Sequence, residues 1–415
     1  MRVLIENGGY EFLNHGDTAM LQVAVRRLQR RWPHAKVQVL TSDPDRLTRF
    51  CPGTTPVLVF GRDLFFGSGT MIGRFHRLFP KIESLVRTTA PRFASTLIQA
   101  RRRDIPADAA DAVERYVEAV QGADLVIASG GGYLTDAFPY MTAGVMNTLS
   151  FAATLGKPTA LLGQGIGPLQ DAALRCQVGS ALPQIRFISL REALVNLPLL
   201  TSLGYPPERM LVTGDDAIET AYAHRPEGMG CGIGISLRLT PYSGIGDDVV
   251  RIVREALHQT ADARGARLVA APISFHDDGE DARAIRRILE GVNATSDGGA
   301  GLGDPEAVMR EVSHCRTVVT GSYHAAVFAL SQGIPVVAVA KSAYYAAKFG
   351  GLAAQFGTGC EVVLLTEPDW GRTFNDAVAG AWESAPVVRD VLLRSAEQQI
   401  ALSQEAHARL ERLVS

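Results

Sequence analysis

"RVLIENGGYEFLNHGDTAMLQVAVRRLQRR", residues 2–31, decides the fold. It opens with the apolar run Arg2–Glu6 and passes through a turn holding Asn7, Gly8, Gly9, Asn14, His15, Gly16 and Asp17. It ends in a stretch with helical spacing. A short apolar run closed by glycine reads as a buried strand; strand, turn and amphipathic helix together make the first half of a βαβ unit. Asp17 has the side chain of a cap for a helix starting at Thr18. Asn14 and His15 can close local turn hydrogen bonds. Asn14, with a donor and an acceptor, can also hold a sugar hydroxyl.

The same pattern recurs along the chain. Further apolar runs fall at 36–42, 55–60, 123–129, 158–164, 186–190 and 210–214, and then at 230–237, 266–274, 316–322, 334–340 and 361–366. Helical stretches separate most of them, as in an α/β chain with parallel sheets. Pro, Gly and charge cluster in "AYAHRPEGMGCG", 221–232, and mark a break. Two α/β domains are expected, 1–225 and 226–385, facing a cleft. Residues 386–415 are expected to form a C-terminal helix packing back on the first domain. Ligands of open α/β sheets bind beyond the carboxyl ends of the strands, so the cleft is the expected site.

Residues 61–122 break the alternation and read as a helical insert. Between Arg62 and Arg103 nine Lys/Arg stand against two acids, spaced among apolar residues. That composition suits either a solvated helical face or peripheral contact of residues 61–103 with a membrane surface or an anionic acceptor.

Bulk composition narrows the function. The 415 residues are 47% apolar and 20% charged with a net charge of −2, which argues against a nucleic-acid partner. The five scattered cysteines form no CxxC pair, so no metal site or disulfide framework is expected and a cytoplasmic location fits. "MRVLIENGGY" reaches polar residues too soon for a signal peptide, and no run approaches the length of a membrane span.

Three glycine-rich turns end strands in the first domain: the opening one, "SGGGYLTD" (129–136, with Gly130, Gly131 and Gly132) and "GQGIGPL" (163–169, with Gln164). Helices are expected after the first two, so that backbone N–H groups and helix dipoles favour an anion. Arg238 in "GISLR" and Arg191 in "ISLRE" stand where strands emerge, and a guanidinium suits a carboxylate or phosphate. In "VVTGSYHAAVFALSQGIPVVAV", 318–339, a strand ends before Ser322 and Tyr323, and His324 opens an apolar helix. The helix dipole disfavours a charged imidazole there unless an anion sits beside it. Next to a bound phosphate, His324 is placed to pass a proton.

"GGYEFLNHGDTAML", "ASGGGYLTD", "LLGQGIGPL", "ISLREALVNLPLLTSLG", "VTGDDAIE", "GISLR" and "TGSYHAAVFALSQGIPVVAV" occur in this order. Together they resemble the polysaccharide pyruvyl transferase family. The resemblance implies two Rossmann-like domains in a GT-B-like arrangement. It implies transfer of an enolpyruvyl-derived group from phosphoenolpyruvate to hydroxyls of a saccharide or glycoside, free or lipid-linked, giving a pyruvate ketal. It puts the family's basic donor contact and its histidine on Arg238 and His324, with Asn14 and Asp17 near the cleft. Many members carry an Arg two residues before that histidine. Here Ser322 stands there, and the contact usually given to that Arg does not carry over.

In the mechanism expected from these residues, Arg238 takes the donor carboxylate. The glycine loops, a helix N-terminus and Arg191 take the phosphate, and His324 delivers a proton; no metal or other cofactor is called for. The alternative is a GT-B-type glycosyltransferase whose loops and arginines hold the diphosphate of a nucleotide sugar. The acceptor and the oligomeric state stay open at this level.

Overall fold

The computed structural model of the chain describes residues 1–67, 71, 80–100, 107–238, 246–276, 280–292 and 297–414. The first sheet contains β1 (Arg2–Glu6), β2 (Lys36–Thr41), β3 (Thr55–Leu58), β4 (Leu125–Ala128), β5 (Gly131–Leu134), β6 (Thr159–Ile166), β7 (Phe187–Leu190) and β8 (Met210–Val212). Its order is β3-β2-β1-β4-β6-β7-β8, with β5 beside β6. The second contains β9 (Gly232–Ser236), β10 (Leu268–Ala270), β11 (Cys315–Thr320), β12 (Val336–Ala340) and β13 (Cys360–Leu364), in the order β10-β9-β11-β12-β13. Neighbouring strands are parallel in both sheets. β4, β6, β9 and β12 are buried along their whole length, as expected when helices cover both faces of a parallel sheet.

Strand order reverses between β1 and β4 in the first sheet and between β9 and β11 in the second. Each reversal opens a crevice at the carboxyl end of the strands, the usual ligand position in such sheets. The loop after β1 reaches across to the second sheet. Asn14 and Ser274 form an antiparallel bridge, His15 N donates to Ile273 O at 2.9 Å, and Phe275 N donates to Leu13 O at 2.8 Å.

Three local expectations differ from the structure. The glycines of "SGGGYLTD" do not open a helix: Gly131–Leu134 is β5, and the next helix starts at Pro139. The "GQG" segment is likewise the second half of β6. The run at 55–60 is a strand only to Leu58 and then turns into the helix Val59–Phe66.

The C-terminal helix runs Trp370–Arg409, so it begins well before residue 386 and carries Pro386 inside it. Proline removes one helix hydrogen bond and reads as a stop in sequence. Packing on both sides holds the helix through it. Phe374, Ala377 and Trp382 lie in one core of the second domain and Leu392 and Ala396 in another. Ala406 and Leu410 join the first-domain core beside Val3 and Leu125.

The insert is helical where described, with helices Pro80–Thr89, Pro91–Ala100 and Ala107–Gly122. Arg62 does not belong to a basic face: it is buried and pairs with Glu6 at 2.8 Å. Arg87 also turns inward, donating to Gly67 O at 2.7 Å and pairing with Glu83. Arg74, Arg77 and Arg101–Arg103, which the expected membrane-facing surface needs, lie outside the described residues. Among the described residues no helix is long and apolar enough to cross a membrane.

Candidate active site

A cavity of about 560 Å³ lies where the two sheets present their carboxyl ends. From the first domain it is lined by the loop Gly8–Asn14, Asp17, Gly132 and Arg191. From the second it is lined by Arg238, Ser274, Ser322, Tyr323, His324 and Lys348.

The opening motif divides its work residue by residue. The helix starts at His15, and Asn14 rather than Asp17 is its cap, with Oδ1 accepting from Gly16 N at 2.9 Å and Asp17 N at 3.3 Å. His15 turns away from the cavity. Its Nε2 meets Leu302 O at 2.9 Å and its ring packs on Phe275, so it fastens the two domains. Gly16 backs onto the second domain's histidine: a Cβ there would lie 1.9 Å from both Cγ and Nδ1 of His324. Asp17 is freed from capping and lines the cavity.

His324 stands in the first turn of the helix Tyr323–Ser331. Its Nε2 faces Asp215 Oδ2 at 3.6 Å, the neighbouring anion that position calls for. Asp215 follows β8 and is fixed by Ala217 N, which donates to its Oδ1 at 2.9 Å. Arg191 Nη1 lies 3.6 Å from the same Oδ2, and the guanidinium carbon sits 4.2 Å from the centre of the Tyr323 ring. Burial pushes the Asp215 carboxyl up. His324 and Arg191 outweigh that and hold its pKa below the ordinary value.

The glycines of the second and third motifs make room for this arginine. A Cβ on Gly132 would lie 2.5 Å from Arg191 Nη2 and 2.6 Å from Lys348 Nζ, and one on Gly165 would lie 2.3 Å from Arg191 Nε. Two basic side chains therefore converge above Gly132. Burial, and then the nearby Arg191, pull the Lys348 pKa well below the usual lysine value. Gly130 and Gly131 back onto Met20 and Tyr133 and do not line the cavity. Gln164 is buried within β6, donating to Tyr133 Oη at 2.8 Å, and also lies outside the cavity wall.

Arg238 reaches the cavity but is tied by Nε and Nη2 to the two oxygens of Asp281, at 2.9 and 3.3 Å. Asp281 Oδ2 also accepts from Ile273 N and Ser274 N, so this pair fixes the second-domain edge as well as the wall.

Residues 14–342, from the capping asparagine past the His324 helix, match the family model for polysaccharide pyruvyl transferase. The chain belongs to the polysaccharide pyruvyl transferase family. Its fold is GT-B, shared at low sequence identity with several solved structures. S. aureus MnaA, solved with UDP, superposes with a TM-score of 0.57 at 13% identity, covering 98% of this chain and 94% of that one. The Anabaena protein HepE, in complex with UDP, gives 0.54 at 13% identity over 99% and 100% of the two chains. UDP-GlcNAc 2-epimerase from Neisseria meningitidis, bound to UDP-GlcNAc, gives 0.53 at 12% over 100% and 99%. No curated protein matches the chain by sequence.

Sequence reasoning on this chain passed over Asp215 and Lys348. The paired acids of "VTGDDAIE" carried a signal: Asp215 faces His324, whereas Asp216 faces Arg27 and Ser403. For Lys348 the signal was the spacing of Tyr344 and Lys348, which puts both on one face of the helix Ala343–Phe356. The Lys348 ammonium lies 4.1 Å from the Tyr344 ring centre.

Proposed function

We propose that this transferase takes phosphoenolpyruvate as donor and places its three-carbon unit on two hydroxyls of a saccharide or glycoside as a pyruvate ketal. The supporting observation is a set of buried polar atoms at one end of the cavity that make no hydrogen bond: Arg191 Nη1 and Nη2, Tyr323 Oη and His324 Nε2, of which Arg191 Nη1 and His324 Nε2 have only their 3.6 Å contacts with Asp215 Oδ2. Each such atom costs about 1–3 kcal/mol when unpaired, so the group suits an ionised ligand that satisfies several at once. Arg191 and Lys348 receive the phosphate, and Arg238, steadied by Asp281, supplies the cationic point for the carboxylate.

His324, held against Asp215, gives a proton to the methylene carbon. The double-bond electrons form the new C–H bond, and positive charge develops on the phosphate-bearing carbon. One acceptor hydroxyl attacks that carbon and loses its proton. Phosphate departs with the C–O bonding pair, and the second hydroxyl attacks the same carbon and loses its proton, closing the ketal. The cytoplasm, where the unpaired cysteines also fit, is the compartment this reading assigns.

The test is calorimetric titration with phosphoenolpyruvate and with UDP-sugars, alongside phosphate release in the presence of glycoside acceptors. Phosphoenolpyruvate binding, with turnover lowered about 10²–10⁴-fold in His324→Ala, is the expected result. Binding of UDP-sugars alone would move the chain to the glycosyltransferase reading. The structural neighbours solved with UDP make that the necessary comparison.

A further inference from the structure

The wall of the cavity formed by the first domain is chemically unlike the cationic end. It carries Tyr10, Arg62 and Asp63 together with Phe138, Tyr140 and Met141. Arg62 is wholly buried. Its Nη1 donates to Glu6 Oε1 at 2.8 Å and to Tyr10 Oη at 2.5 Å, and its Nε and Nη2 both end on Asp63 Oδ1, at 2.8 and 2.7 Å. One guanidinium thus faces two carboxylates, and the group keeps a net negative charge. Both Arg62 bonds to Asp63 use Oδ1 and leave Oδ2 outside the ion pair. Gly144 packs against this guanidinium, where a Cβ would lie 2.6 Å from its Cζ, so the arginine and the carboxylate it holds are fixed in place. Tyr140 is 65% exposed at the mouth, with Phe138 and Met141 as neighbours in the chain.

A fixed carboxylate oxygen beside aromatic faces is what a sugar ring asks for. The carboxylate accepts from hydroxyl donors, and the rings cover apolar C–H surface. Anionic sugars fit poorly against the Asp63 carboxylate in this part of the lining. We propose that the Asp63–Tyr140 wall is the acceptor subsite and that it takes an uncharged terminal hexose carrying an aryl or other apolar aglycone. A terminal unit is required because the cavity, about 560 Å³, must hold the donor as well. The donor reading above supplies the chemistry of this proposal, but occupancy of the wall does not depend on it.

The experiment therefore measures acceptor binding directly. Full-length protein is titrated with p-nitrophenyl gluco-, galacto- and mannopyranosides and with p-nitrophenyl glucuronide, with no donor present. At least one uncharged glycoside is expected to bind, and the glucuronide to bind at least about tenfold more weakly. Asp63→Asn is expected to weaken the uncharged glycoside about tenfold or more. Tyr140→Ala, at a position 65% exposed whose hydroxyl lies against Asp63, is expected to weaken the aryl glycoside more than the methyl glycoside of the same sugar. No binding by any uncharged glycoside, preference for the glucuronide, or unchanged affinity in Tyr140→Ala would overturn the proposal. Phosphoenolpyruvate affinity is measured on the same samples. Its absence in the wild type would sink the donor reading, while the glycoside titrations still decide the fate of the wall.

Discussion

A methyl group at position 16 would sit on the His324 ring, 1.9 Å from Cγ and Nδ1. Both atoms belong to a buried side chain with little room to retreat, so Gly16→Ala must move the imidazole away from Asp215. Turnover is expected to fall by an amount approaching that of His324→Ala, about 10²-fold or more, for a stability cost of about 1–3 kcal/mol. Steady-state rates read beside thermal unfolding check this; a Gly16→Ala protein with wild-type turnover would remove His324 from the reaction. Lys348 supports a second prediction at this scale. Its pKa is well below the lysine norm because of burial and Arg191, and a bound phosphate would raise it. Donor binding should then take up a proton, and affinity should fall as pH rises through the depressed free-site value. Titrations in two buffers of different ionisation enthalpy measure the uptake, and Lys348→Met should abolish it. Residues of this kind were only half legible. His324 stood out because a histidine is unusual at a helix start, and the opening motif because Asn, His, Gly and Asp cluster at one strand-to-helix turn. Asp215 and Lys348 lie far apart in sequence, and only the facing sheets bring them to one point.

At the scale of elements, the apolar runs were readable because a strand buried on both faces leaves no polar positions to blur it. Gly131–Leu134 was not readable, since "GGYL" carries the glycines of a turn and pairs as a strand only because β6 lies beside it. The "GQG" half of β6 was hidden in the same way: Gly165 makes room for the Arg191 side chain and Gly163 for that of Asp216. The early start of the C-terminal helix was obscured by Pro386, whose local cost is outweighed by contacts made over the whole length of the helix. Leu392, fully buried and pressed against Gly359, carries part of that compensation. Leu392→Ala is expected to cost about 2–5 kcal/mol in chemical denaturation. Val387→Ala, at a position 78% exposed, is expected to stay within about 0.5 kcal/mol. Equal effects at the two sites would mean that the helix is not held by this face.

Across the whole molecule, one buried polar junction ties the amino-terminal helix to the carboxyl-terminal one. Arg27 pairs with Glu219 at 2.7 Å and Asp216 at 3.4 Å, and Ser403 donates to Asp216. His407 lies in the same junction, with both ring nitrogens buried and unpartnered. Burial, and then Arg27 and Arg31, hold its pKa well below the ordinary histidine value. An unfolded chain protonates this histidine below about pH 6.5, whereas the folded chain does so only at much lower pH. The unfolded state then binds the extra proton, and the linkage makes stability fall with acidification, by up to about 1.4 kcal/mol per pH unit below that point. Asp216 acts in the opposite sense: burial raises its pKa despite Arg27, so on acidification it regains a proton earlier in the folded state than in the unfolded one and favours the fold. His407→Leu removes the first effect, keeps an apolar filling and leaves Asp216 in place. Its melting temperature should change less between pH 7.5 and 5.5 than that of the parent, and should exceed the parent's at pH 5.5. A parent and variant that lose stability in parallel over that range would show that the acid sensitivity of this two-domain clamp arises away from the junction.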